Sequence, residues 1–292
     1  MIPFSLPQVR GTYKQNVSIP NWFMVGGNVQ VLFKPADIAD LQHFLANRSA
    51  DIPLNIIGAA SNIIIADEGI KGVVIKLGSG FANISHQQNL LTVGSATLCS
   101  SVASYCKQYG LAGLEFFSGI PGSVGGAVAM NAGCYGGDVA SSLISATAID
   151  YAGNIHNISK QDFGFVYRGH NLQHQYIFVE AVFAIQASTS NAVESVIVNM
   201  QQQRDQAQPI RAKTGGSTFK NPPNNKAWQL IDAVGMRGYT IGDACFSSKH
   251  CNFLINNGKA TAQNLLDLGN LAQEKVLAKF NINLQWEIKL IK

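Results

Sequence analysis

Charge is scarce in this sequence. Only 13 % of its 292 residues are Asp, Glu, Lys or Arg, while 47 % are hydrophobic. That balance excludes a disordered chain and points to a well-buried globular protein. The net charge is +4, and the basic residues are scattered (Lys71, Lys76, Lys107, Lys160, Arg168 and Lys213), with no block of like charge. A nucleic-acid surface is therefore not expected, and an anionic small molecule suits the mild positive balance. Cysteine is sparse and odd in number: Cys99, Cys106, Cys134, Cys245 and Cys251. No CxxC pair occurs, and the Cys99/Cys106 and Cys245/Cys251 spacings fit no zinc knuckle. No metal site is expected, and the thiols read as reduced, in a cytoplasmic protein. No apolar run reaches membrane length, and "MIPFSLPQVR" lacks a basic segment followed by an apolar one. The expectation is a soluble, non-exported protein without a membrane partner. GxxxxGK[ST], HExxH and GxSxG are all missing, as is a GxGxxG opening a helix. These absences argue against a P-loop NTPase, a zincin, an α/β-hydrolase and a Rossmann dinucleotide site.

What is present alternates between strand and helix patterns. The length exceeds one comfortable core, so two or three lobes are expected. "NVQVLFKPADIADLQHFLANR" predicts a strand, then a helix with the stripe Ile38, Leu41, Phe44 and Leu45. "IPLNIIGAASNIIIADEGIKGVVIKLG" predicts strand, tight turn, short strand, loop and strand. Residues 1–70 thus read as a first lobe. "NLLTVGSATL" runs from strand into a helix whose face would carry Leu98, Val102, Tyr105, Cys106 and Tyr109, closed by Gly110. A hairpin around Ala152-Gly153-Asn154 and a strand at "QYIFVEAVFAIQA" complete a mixed α+β second lobe over 71–187. From Ser188 the texture changes to a glutamine-rich helix ended by Pro209, a helix at "KAWQLIDAVG", a strand-like "CNFLINNG" and a long helix over 262–280 that Thr261 can cap. This is a third lobe, of α/β type, over 188–283. In the last segment, 284–292, Leu284, Trp286, Ile288 and Leu290 alternate with Gln285, Glu287 and Lys289. That strand either packs on the third lobe or returns to the first.

The densest motif is "SGIPGSVGGAVAMNAGCYGG", with seven glycines: Gly119, Gly122, Gly125, Gly126, Gly133, Gly136 and Gly137. Glycine lets backbone amides approach a ligand, and consecutive turn amides suit a pyrophosphate. A buried glycine-rich turn is the plainer alternative, disfavoured by the folding entropy that so many glycines cost. A second stretch, Gly58-Ala59-Ala60-Ser61-Asn62, lies between two apolar strands. It suits phosphate oxygens or an ordinary hairpin equally. Arg168 follows Phe163, Phe165 and Tyr167. A cation–π pair and an anion clamp are equally good readings of it. "KTGGSTFKNPP" presents Ser217 after two glycines, and on its own it is a loop.

Taken together and in this order, "NWFMVGGNVQ", "IIGAASNIIIADEGIKGVVIKL", "GLEFFSGIPGSVGGAVAMNAGCYGG", "FVYR", "GGSTFKNP", "AWQLIDAVGMRGYTIGDA", "KHCNFLINNG" and "LQWEIKLI" resemble the bacterial UDP-N-acetylenolpyruvoylglucosamine reductase (MurB) family. The resemblance spans residues 20–292. It implies an α+β, vanillyl-alcohol-oxidase-like (PCMH-type) flavoenzyme. FAD would lie between the lobes 1–70 and 71–187, and the UDP-sugar would bind the lobe 188–283. The implied reaction is NADPH-dependent reduction of UDP-N-acetylenolpyruvylglucosamine to UDP-N-acetylmuramate for peptidoglycan, and so for cell-wall growth, cell shape and division. A cytoplasmic monomer is expected.

Residue by residue, the resemblance places the flavin turn at Gly58, Ala59, Ala60, Ser61 and Asn62. It places the flavin loop at Gly119, Pro121, Gly122, Ser123, Gly125, Gly126, Ala127, Asn131 and Gly133. Arg168 and Glu287 would polarise the substrate carboxylate, and Ser217 would protonate the α-carbon after hydride reaches the β-carbon. Lys220 and Asn221 would support the substrate. The chain departs from the family pattern at Ala60, where glycine is common, at Gly169-His170 after the arginine, and at Asp243. The short stretch after Arg168 suits the subtype without an extra tyrosine loop. Two other readings compete: a flavin oxidase of the same superfamily, for which Cys134 would be a covalent attachment point, and a non-catalytic nucleotide-binding protein. The set of Arg168, Ser217 and Glu287 favours the reductase.

Overall fold

The computed structural model describes residues 4–292. Contacts divide the chain into two compact units. Among the described residues the first contains 4–15, 30–59 and 72–203, and the second 16–29, 60–71 and 204–292.

The first unit holds two larger sheets beside two short two-stranded pairs. One has four strands in the order Thr12–Val17, Val29–Lys34, Ile70–Ile75, Leu54–Ile56. Helix Ile38–Asn47 buries Leu41, Phe44 and Leu45 in one cluster with Val31, Phe33, Val73 and Ile75. Asp37 caps this helix by accepting from the Asp40 N–H at 2.9 Å. The second sheet is antiparallel, in the order Ile155–Ser159, Leu143–Asp150, Tyr176–Ala184, Leu90–Gly94, Ile84–Gln87. Its hairpin turns at Gly153, with φ +93°, where the Asp150 carboxylate accepts from the N–H groups of Ala152 and Asn154.

Helix Cys99–Tyr109 packs on this sheet and ends at Gly110, with φ +63°. Its buried face is Cys99, Val102, Ala103 and Cys106. The expected stripe is therefore corrected: Leu98 stands before the helix and is exposed, and Tyr109 is exposed too. Tyr109 packs at a tilt against Tyr105, and both lie against His86, so their rings satisfy one another at the surface. The glutamine-rich stretch forms helix Ser190–Ala207 as expected, with Val193 and Ile197 as its buried residues.

The second unit is built on a three-stranded antiparallel sheet, Thr240–Ile241, Ala244–Phe246 and Leu254–Asn256. Helices Ala227–Ala233 and Ala262–Phe280 join it in one apolar cluster. Thr261 caps the long helix through a reciprocal pair with Asn264, as its position predicts. Asp67 adds bonds to the Ala262 and Gln263 N–H groups at 2.8 and 3.0 Å. A side chain at Gly269 would meet the Trp286 ring at 2.2 Å, so glycine in mid-helix makes room for the indole.

Strand Lys289–Ile291 pairs in parallel with Ile63–Ile65. Leu284 and Ile288 from the final segment join the same cluster as the long helix. The segment thus meets both the early strand and the late helix. Leu290, expected inward, is exposed, because only Lys289–Ile291 forms strand and the alternation lapses there. No helix among the described residues is long and apolar enough to cross a membrane.

Candidate active site

The glycine stretch is less of a loop than its composition predicts. After a 3-10 turn, Glu115–Gly119, it forms helix Val124–Met130. Ser123 caps that helix, accepting from the Gly126 N–H at 3.4 Å, and Asn131, at φ +42°, ends it. Backbone bonds anchor the stretch: Cys99 N–H to Gly122 O, Val124 N–H to Thr97 O and Gly125 N–H to Ser95 O, each 2.8–2.9 Å.

The glycines have different tasks. A side chain at Gly119 would meet Cys134 Sγ at 2.6 Å, at Gly125 the Ser95 Cβ at 2.9 Å, at Gly133 the Asp138 Cβ at 2.5 Å, and at Gly137 the Phe116 ring at 2.9 Å. These four are glycine because the protein itself presses on them. Gly126 is exposed and meets only Ser123 Oγ, at 3.5 Å. Gly58, in the earlier turn, would put a side chain 2.3 Å from that same Ser123 Oγ. The two motifs thus converge in space at Gly58, Ser123 and Gly126.

Two hydroxyls, Ser95 Oγ against Gly125 and Ser118 Oγ at the start of the glycine stretch, are buried with no hydrogen-bond partner among the described residues. Buried polar atoms are nearly always paired, and an orphan needs a reason. A polyphosphate or ring carbonyl reaching into the stretch supplies one. The residues present therefore fit a flavin nucleotide.

Asn131 ties the glycine helix to the arginine. Its Nδ2 donates to Val166 O and its Oδ1 accepts from the Ala140 N–H, each at 2.9 Å. Val166 and Gly169 pair across a tight turn, with Arg168 between them at φ +57°. A left-handed arginine is uncommon and points to a constrained role. Its guanidinium carbon lies 5.2 Å from the Tyr167 ring. His170 sits edge-on to Phe163 and Phe178, and burial pushes its pKa down.

In the second unit, residues 217–220 run between two partners. On one side Ser217 bridges Phe253, and the Thr218 N–H donates to Asn252 O at 2.8 Å. On the other, the Glu287 N–H donates to Thr218 O at 2.8 Å, and the Lys220 N–H to Gln285 O at 2.9 Å. Ser217 and Glu287, 70 positions apart, are thus placed by one short backbone segment. Asn62 joins them: its Nδ2 donates to Glu287 O, and its own carbonyl accepts from the Lys289 N–H, both at 3.1 Å. The resemblance places Asn62 in the flavin turn, and its side chain also holds the glutamate backbone.

Comparison with known proteins decides the family. Residues 29–159 match the model described as an FAD binding domain, and 208–291 the C-terminal domain of UDP-N-acetylenolpyruvoylglucosamine reductase. The reductase of Anaplasma marginale (strain St. Maries) is 46 % identical over 292 residues, covering 99 % of this chain and 97 % of that protein. That of Rickettsia bellii (strain RML369-C) is 47 % identical over 290 residues, covering 98 % and 96 %.

The chain belongs to the UDP-N-acetylenolpyruvoylglucosamine reductase family.

The crystal structure of the Thermus caldophilus reductase superposes with a TM-score of 0.83 at 29 % identity, covering 98 % of this chain and 100 % of that one. The fold is accordingly the family's α+β, vanillyl-alcohol-oxidase-like FAD-binding fold, and the protein is an FAD-dependent oxidoreductase. The FAD-domain match includes every glycine-stretch residue singled out, and the reductase C-terminal match includes Ser217 and Glu287. Arg168 falls outside both.

Within this reductase framework the remaining positions differ in kind. Ala60 is buried at φ +54°, the conformation in which glycine would be unstrained, and its carbonyl accepts from the Trp22 N–H at 3.2 Å. Lys220 is half-buried. Asn221 is exposed, and its Oδ1 accepts from the Ala227 N–H at 2.9 Å, satisfying the first N–H of helix Ala227–Ala233 from outside the helix. Three residues of the site drew no attention as sequence: Ser95, Ser118 and Asn252. Ser95 carries no motif signal, and Ser118 opens the glycine stretch as an unremarkable turn residue. Asn252 does carry a faint one, a lone amide inside the apolar run "CNFLI".

Proposed function

We propose that this protein reduces UDP-N-acetylenolpyruvylglucosamine to UDP-N-acetylmuramate with NADPH, as a cytoplasmic monomer. The observation that carries the reading is the shared backbone segment that holds Ser217 beside Glu287. On this reading lobes 1–70 and 71–187 hold the flavin and 188–283 the UDP-sugar. Gly58, Ala59, Ala60, Ser61 and Asn62 and the stretch from Gly119 to Gly133 would receive the FAD. When bound and reduced by NADPH, FAD supplies the hydride for the β-carbon.

The protein's own groups then manage charge and one proton. Hydride addition to the enol ether leaves an electron pair on the α-carbon, delocalised into the carboxylate. The Arg168 guanidinium offers a planar pair of donors to that carboxylate. Glu287 would assist either protonated or paired with Arg168, because an ionised and unpaired neighbour would repel the substrate carboxylate. The Ser217 hydroxyl gives its proton to the α-carbon, which forms the C–H bond, and recovers a proton from solvent. A serine is a weak acid, adequate here because the carbanion is strongly basic. Lys220 would support the substrate or the serine alkoxide, and Asn221 would support the substrate from beside the start of helix Ala227–Ala233.

Anaerobic stopped-flow spectroscopy tests this. Purified protein should carry a yellow flavin band that NADPH bleaches and the enolpyruvyl sugar restores. In Ser217→Ala, bleaching should proceed normally while restoration slows by about a thousandfold or more, the upper range for a lost general acid. Equal loss of both half-reactions would make Ser217 a structural residue. Restoration by oxygen alone would indicate an oxidase.

A further inference from the structure

Asn252 is a buried amide, 4 % exposed, in an otherwise apolar run. Its side chain grips a single residue. The Phe219 N–H donates to Asn252 Oδ1 at 3.0 Å, and Asn252 Nδ2 donates to the Phe219 carbonyl at 2.8 Å. These two bonds fix which end of the amide points where, since a flipped amide would set donor against donor and acceptor against acceptor. The backbone of Asn252 adds the bond from the Thr218 N–H. One residue thus copies what a neighbouring strand would do, using its side chain for part of the ladder.

The target of this grip is what gives it meaning. Upstream of Ser217 stands Gly216, at φ +84° and with no atom within 4 Å of where a side chain would be. A glycine in open space is a weak constraint. Farther upstream Gly215 lies against the Phe23 ring and Lys213 pairs with Asn256, but Gly216 separates these anchors from Ser217, so the nearest holds on the Ser217 backbone are Phe253, the Thr218 bonds and the Asn252 grip on Phe219. Thr218 is fully buried, and its Oγ1 accepts from the Leu254 N–H at 3.1 Å, which closes the same network. Its carbonyl carries Glu287. An amide that moved Phe219 would move the serine on one side and the glutamate on the other.

We propose that Asn252 is a positioning residue for proton delivery: it sets the Ser217 hydroxyl, with Glu287, in the attitude the enolpyruvyl carbon requires. The inference rests on Ser217 being the proton donor. No other side chain available here does the same job. Aspartate keeps an acceptor for the Phe219 N–H but turns a second acceptor onto the Phe219 carbonyl. Alanine leaves both backbone groups buried and unpaired.

The test uses the holoenzyme in anaerobic stopped flow. In Asn252→Asp, flavin reduction by NADPH should stay within about twofold of the parent, while reoxidation by the enolpyruvyl sugar falls about a hundredfold, the scale of a small misplacement of a reacting group. In a Ser217→Ala background the same change should cost less than about threefold more, because both act through one hydroxyl. Thr218→Val, which removes the Leu254 bond, should show the same split at about tenfold, and it decides the matter if Asn252→Asp holds no flavin. Equal losses in both half-reactions, no loss, or full additivity with Ser217→Ala would overturn the proposal. If Ser217→Ala alone leaves reoxidation intact, the proton-donor reading falls and this inference with it. If Ser217→Ala abolishes reoxidation but Asn252→Asp does not slow it, only this inference falls.

Discussion

The glycine stretch of the first unit and the Ser217 stretch of the second fix their backbones with a different balance of two means, contact and hydrogen bonding. The first works mainly by exclusion: at Gly119, Gly125, Gly133 and Gly137 neighbouring atoms occupy the space a side chain would need. The second works mainly by attachment: Asn252, Thr218 and Asn62 bind the backbone of residues that sit far away in sequence. Exclusion leaves amides close to the surface and tolerates no added atom. Attachment leaves side chains free to act and tolerates added atoms where space is open. The lesson is that a run of glycines is mixed: some make room for a ligand and some for the protein itself.

Substitutions can break this contrast. The largest effect is expected from Gly133→Ala, whose methyl would press on Asp138 Cβ and the Gly137 carbonyl. Overpacking against backbone should cost about 2–3 kcal/mol in urea unfolding and loosen bound flavin. An unchanged midpoint would remove exclusion as the explanation. Gly216→Ala meets no neighbour but must hold φ +84°. Its cost should be about 1–2 kcal/mol, all of it backbone strain, accompanied by slower reoxidation with normal flavin reduction. Gly126→Ala separates the two tasks of glycine. The position is helical and nearly open, so stability should rise by about 0.5–1 kcal/mol, while flavin affinity drops about tenfold by equilibrium dialysis. Stability gained without affinity lost would take Gly126 out of the cradle. The smallest effect is expected for Ala60→Gly, which relieves a left-handed alanine and should stabilise by about 0.5 kcal/mol without altering either half-reaction.

Much of this was legible in the residues. Helix caps and stops follow local rules, so Thr261, Gly110 and the hairpin at Gly153 stand where their chemistry predicts. Amphipathic stripes located most buried faces, and the resemblance gathered Arg168, Ser217 and Glu287 from three remote stretches. What stayed hidden depends on contacts distant in sequence. Helix Val124–Met130 was masked by two glycines with poor helix propensity, which the Ser123 cap and the bonds to residues 95–99 override. Tyr109 looked like a core residue until His86 and Tyr105 provided a surface cluster for it. The grip of Asn252 spans 33 positions and has no pattern a reader of one strand could recognise.

The pairing of Ile63–Ile65 with Lys289–Ile291 carries a consequence for biosynthesis. The first unit has all its residues once position 203 has been made, whereas the second needs stretches up to residue 292. On the ribosome, three consecutive isoleucines therefore wait for a strand partner while more than two hundred further residues are added, a delay of roughly ten to forty seconds at ordinary elongation speeds. An uncovered β-branched edge is an invitation to pair with another chain. The nascent protein thus passes through a period of greatest need for chaperone protection before its last strand arrives.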